Sequence, residues 1–294
     1  MSFNYNVDSF YNFFFSKYSR ELIEKSILSF ALASFFIHLI MILMNDYGFW
    51  GEGVDTELLK SPLIAIYTPF SFVLLYEVYL LIYYLPQSFT YYLSKQYEII
   101  TLIVFRRFFK DISHISTEEI QLAKWVISDF LLDLVAGLFL FALVYLFKKY
   151  FIRNKNKNML DENIGLRNFV NQKKVIAIIL IPVFLIMATL SFATWFNNFS
   201  ILNSSIINLN HIFFEDFFGL LIFVDVVILL LSFFYKQDFH KIIRNSGFIV
   251  STIMIRMSFG VSGVFNLLLI VSAILTGLIV LYVHNLYESL NKRV

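Results

Sequence analysis

The chain has 294 residues, of which 59% are hydrophobic and 15% charged, against roughly a quarter charged in an ordinary soluble domain. With a mean hydropathy of +0.74, it lacks the polar surface a soluble fold of this length needs. There are no cysteines, which excludes disulfides, thiolate metal sites, iron–sulfur clusters and covalent c-type haem. The formal charge of +2 says little alone, because what matters is where the charges lie.

Residues 1–26 read as a cytoplasmic interfacial helix. Phe10, Phe14 and Leu22 recur at helical spacing, with Lys17, Glu21 and Lys25 offset from them. A loosely ordered tail is the competing reading. No small-residue cleavage motif follows, so the segment does not read as a signal peptide.

A span needs about 20 apolar residues to cross a hydrocarbon core of roughly 30 Å. Six segments satisfy this: 27–45, 62–85, 125–147, 174–195, 212–234 and 264–286. Two more, 97–115 and 247–261, are shorter and carry arginine. The positions of the basic residues decide between six spans and eight. Residues 148–174 hold eight Lys/Arg and two acids, which places them in the cytoplasm. Residues 46–61 hold four acids and one Lys, which places them outside. An odd number of crossings must separate these two loops, so 97–115 crosses. Residues 196–211 carry no Lys or Arg and lie outside, whereas 235–246 are basic and lie inside. Placing the C-terminal Asn-Lys-Arg-Val inside makes 247–261 cross as well. This arrangement leaves 17 Lys/Arg inside, three outside and three within the membrane. One short segment being re-entrant is the alternative.

The expected fold is therefore an all-α polytopic membrane helix bundle of about eight transmembrane helices, with both termini cytoplasmic. The expected organisation is the interfacial helix 1–26, a first four-helix half at 27–147, a basic linker at 148–173 and a second four-helix half at 174–294. The Asn-, Lys-, Ile- and Phe-rich composition suggests a bacterial inner membrane.

The two halves align by eye as parallel repeats. The segment 70–85 matches 218–233, placing Glu77 on Asp225. The segment 98–107 matches 248–257, placing Arg106 on Arg256. Gly137 falls on Gly277. Chance matching of apolar helices is the competing explanation.

Ionised side chains are costly within a bilayer and are usually paired or line water. Here they are Glu77, Arg106, Arg107, Asp129, Asp133, Asp225 and Arg256. At about 1.5 Å per residue, Glu77 and Arg106 lie roughly 12–14 Å from the cytoplasmic face, as do Asp225 and Arg256. Each half thus sets an acid and an arginine at one level on consecutive helices. They read either as a transport path with gating charges or as pairs that fix helix register. Arg106 and Arg107 point about 100° apart, so one pairs and the other snorkels toward headgroups. Asp129 and Asp133, at i and i+4, share a helix face. Glu215 and Asp216 suit a helix start. Pro69 and Pro182 suggest kinks, and Pro86 a helix end.

The five histidines are scattered and form no metal-binding array. There is no phosphate-binding glycine loop and no TVGYG filter, nor an arginine ladder of the voltage-sensor kind. No cofactor, metal or nucleic-acid partner is expected, and no catalytic motif is visible. The expected partners are the lipid bilayer and other membrane subunits or a second copy. The first functional reading is ion or small-solute transport, channel-like, with midplane acid–arginine pairs. The alternative is a non-catalytic subunit or scaffold of a larger membrane complex.

Overall fold

The computed structural model describes residues 2–47, 62–113, 124–155, 164–199, 209–235, 238–261 and 263–291. Among these residues every regular element is helical. Helix α1 (Ser2–Phe15) gives way at Ser16 to α2 (Lys17–Asp46). Ser16 is extended, with φ −67° and ψ 158°, and its Oγ accepts from the Ser19 backbone N–H at 3.0 Å. This is an N-cap. The break in the N-terminal region therefore falls at Ser16, and α2 runs on through residue 26 without interruption.

A 3-10 turn (Pro62–Ile66) leads into α3 (Tyr67–Tyr84). Pro69 thus stands in the first turn of α3, where its missing N–H would have no intrahelical partner. That explains why a proline expected to kink a span is tolerated at this position. Leu85 and Gln87 close a turn by donating to Ile82 and Tyr84 at 3.2 and 3.1 Å, and Pro86 lies between them. Next come α4 (Phe89–Ser113), α5 (Lys124–Lys155) and α6 (Ile164–Phe199), which holds Pro182 internally. The last three are α7 (Leu209–Phe233), α8 (Phe239–Ser258) and α9 (Val264–Asn291). Asp238 begins α8 in an extended conformation, and Lys241 beside it holds its carboxylate below the usual range. Gly263, with φ 67°, supplies the left-handed residue just before α9.

Among the described residues, six helical stretches are long and apolar enough to cross a bilayer: Val7–Asn45, Ile64–Tyr84, Leu131–Ile152, Arg167–Leu190, Asp216–Phe233 and Val264–Leu290. The distribution of side chains agrees with a lipid surround. Phe30, Phe36, Ile37 and Ile40 on α2 and Phe223 and Leu230 on α7 are exposed. Glu77, Asp133, Asp225, Lys173 and Arg256 are buried. A water-soluble fold does not present such large apolar side chains along whole helices, since extended apolar surface is rare on soluble monomers. The chain has the make-up of a multi-pass integral membrane protein.

The helices fall into two compact units. One comprises 1–14, 82–97 and 142–294; the other comprises 15–81 and 98–141. The divisions lie within α1, α3, α4 and α5. In the first unit α8 packs on α9, α7 on α8 and α6 on α7. In the second, α2 packs on the 3-10 turn, and Phe15 stacks on Tyr79 with ring centroids 6.1 Å apart.

Candidate functional site: two buried acid–arginine pairs

The larger unit holds Asp225 of α7 and Arg256 of α8. Asp225 is fully buried and Arg256 nearly so. Arg256 Nη1 lies 2.6 Å from Asp225 Oδ2, close enough for an ion pair although the N–H is not aimed along a hydrogen bond. Hydroxyl groups complete the surroundings. Thr252, one turn before Arg256, places Oγ1 2.9 Å from Asp225 Oδ2 and 2.8 Å from the Ile249 carbonyl. Its one proton serves either acceptor. Tyr92 of α4 donates to Asp225 Oδ1 at 3.4 Å and accepts from Arg256 Nη2 at 3.3 Å. Two helices, α4 and α8, therefore supply the groups around a carboxylate carried by a third, α7.

Lys173 of α6 is buried in the same unit. Its ammonium donates to the Gln87 carbonyl at 2.8 Å and sits over the rings of Phe89 and Phe169, at 4.4 and 5.0 Å from their centroids. The carbonyl and the two ring faces offset the loss of water around the cation. The unit thus holds two buried basic side chains, Arg256 and Lys173, and the buried carboxylate of Asp225.

In the smaller unit, Arg106 of α4 donates through Nη1 to Glu77 Oε2 of α3 at 2.8 Å. The same nitrogen lies 3.4 Å from the Phe70 carbonyl. Glu77 is buried, and the Arg106 side chain is 12% exposed. On the same helix as Glu77, Tyr76 donates to Glu24 of α2 at 2.6 Å.

The structure thus brings Glu77 to Arg106 and Asp225 to Arg256. Asp133 is buried on α5. The side chains of Arg107, Asp129 and Glu215 lie outside the described residues, and Asp216 is exposed. Sequence reasoning missed Tyr92, Thr252 and Lys173. A tyrosine or threonine in an apolar helix costs little and gives no warning. Lys173 is read as one charge in the basic linker. The missed signal is its spacing of four residues from Phe169, which puts a ring on the same helix face.

A second polar chain ties α4 to α8 and α9. The Tyr97 hydroxyl lies 2.6 Å from Ser251 Oγ, which donates to the Ala273 carbonyl at 2.7 Å. Gly277 makes this approach possible, because a Cβ there would come within 1.9 Å of the Tyr97 hydroxyl. Among the described residues no cluster of three or more His, Asp or Glu is arranged to hold a metal ion.

Comparison with known protein families, curated proteins and solved structures finds no match. The functional reading therefore rests on the chemistry of the buried charges.

Proposed function

We propose that the chain is an eight-span membrane protein that passes an ion or small solute, with the two acid–arginine pairs as its gating charges. Helices α4 and α8 provide the two spans beyond the six that hydropathy identifies. They have 25 and 20 residues, or about 37 and 30 Å at 1.5 Å per residue. Their charges lower their hydropathy without shortening them. The basic linker and the acidic first loop then fall on opposite faces, with both termini cytoplasmic. The two halves are parallel repeats in this reading, supported by the acid on α3 and α7 and the arginine on α4 and α8.

The observation that carries the reading is the make-up of the Asp225 region. Fixing helix register takes one carboxylate and one arginine. Here the hydroxyls of Tyr92 and Thr252 join them, and Lys173 is buried in the same unit. Such a set can exchange partners: a proton or cation can occupy Asp225 while Arg256 keeps its contact to the Tyr92 hydroxyl. No catalytic role is assigned to any residue.

A second reading has its own support. Glu77 lies directly against its arginine and is shielded, as a purely structural lock requires. On that reading the protein is a non-catalytic membrane subunit, and its apolar outer faces meet lipid, other subunits or a second copy. Flux through proteoliposomes separates the two, comparing wild type with Glu77→Gln and Asp225→Asn. Conduction by the wild type, altered by at least one substitution, is the expected result. A folded wild type that conducts no ion or solute tested supports the subunit reading instead.

A further inference from the structure

A cluster of titratable groups lies where α8 begins and α9 ends, away from the acid–arginine pairs. His284 of α9 is buried. Its Nε2 atom lies 2.9 Å from Arg244 Nη1 of α8 and 3.3 Å from Glu288 Oε1, one turn along its own helix. These two contacts need opposite states of one nitrogen. A guanidinium only donates, so Nε2 faces Arg244 as an acceptor, in the neutral ring with its proton on Nδ1. A carboxylate only accepts, so Nε2 faces Glu288 as a donor, which the protonated ring allows. The ring cannot serve both partners fully. The charged and titratable groups facing His284 are Arg244 and His240 from α8 and Glu288 from α9. His240 stacks on it with ring centroids 5.1 Å apart.

We propose that His284 is a proton-operated latch between α8 and α9. Neutral His284 holds Arg244 and keeps the start of α8 against α9. Protonated His284 turns its N–H to Glu288 and repels Arg244. The guanidinium keeps its contacts to Asn245 Oδ1, at 3.2 and 3.0 Å from Nε and Nη2, which lie on its own helix. Protonation therefore removes a bond between helices and spares one within a helix. Three residues beyond Arg244 the helices remain tightly apposed, since a Cβ on Gly247 would come within 2.6 Å of Val280 Cγ2. The start of α8 swings about that close approach. Arg256 lies on the same helix, so its position against Asp225 responds to protonation at the far end. The latch stands whether the protein conducts or only docks partners.

The absence of native cysteines allows a direct test. Spin labels are placed at Ile243→Cys on α8 and Leu286→Cys on α9, both exposed positions. The distance between them is measured in the full-length protein in liposomes at pH 8 and pH 3.5. We expect a change of at least about 1–2 Å, the size of a helix shift at a packed interface. His284→Gln, which stays uncharged, abolishes the change while circular dichroism remains that of the wild type. His240→Gln retains it. Equal distances at both pH values in the wild type overturn the proposal. So does a change that survives His284→Gln or disappears with His240→Gln.

Discussion

The carboxylate of Asp225 has no exposed surface, and its partner Arg256 is 5% exposed. Removing one charge from such a pair leaves the other buried without compensation, at a cost of about 3–5 kcal/mol. Asp225→Asn is therefore expected to lower stability by that amount. Adding Arg256→Met to it is expected to recover part of the loss, because the orphaned cation is gone. Denaturation of the purified protein in mild detergent measures both. Equal losses for the single and double variants would show that the orphaned arginine carries no penalty of its own. These charges are conspicuous in sequence because each is expensive at that depth, so few residues compete for attention. The hydroxyls of Tyr92 and Thr252 are not, since neither penalises a helix in lipid. Lys173 is hidden differently. It lies at the edge of a basic stretch, where a long side chain is expected to reach water, whereas the Phe89 and Phe169 rings and the Gln87 carbonyl enclose it.

Between helices, close approach decides what is tolerated. Gly277 of α9 lies beneath the Tyr97 hydroxyl, and an added Cβ would be 1.9 Å from it. Gly277→Ala must displace a ring that also bonds Ser251, so it is expected to cost about 1–3 kcal/mol, the usual penalty for overpacking. Gly137→Ala meets the Phe105 ring at 3.3 Å and is expected to cost less. Thermal unfolding of the two variants checks the order, and a Gly137 variant that unfolds first would contradict it. The two glycines correspond in the sequence alignment of the halves, yet each faces a ring of α4. Pairing by repeat would give Gly277 a partner from α8 instead. This packing therefore does not follow the alignment of the halves. Helix ends are less legible than helix existence. The N-cap at Ser16 divides an aromatic stretch that reads as one amphipathic segment up to residue 26. The signal is a serine whose side chain accepts from the backbone three residues on, and serine is too common for sequence alone to single this one out.

For the whole molecule, six spans follow from hydropathy alone, because lipid demands about 20 apolar residues per crossing. The other two helices cannot be read that way. Helix α4 carries Lys95, Glu98, Arg106, Arg107, Lys110 and Asp111, and α8 carries Lys241, Arg244 and Arg256. Only charge asymmetry between loops argues for their crossing. The grouping of chain segments into compact units is not legible at all, since α3, α4 and α5 each contribute to both. The gating role assigned to Arg106 depends on α4 traversing the bilayer. Single cysteines at Thr56→Cys in the acidic loop and Asn158→Cys in the basic linker, probed in intact cells with a membrane-impermeant thiol reagent, test this directly. The account predicts that the first is labelled at once and the second only after the membrane is permeabilised. Labelling of both from the same side would remove α4 from the membrane, and Arg106 with it.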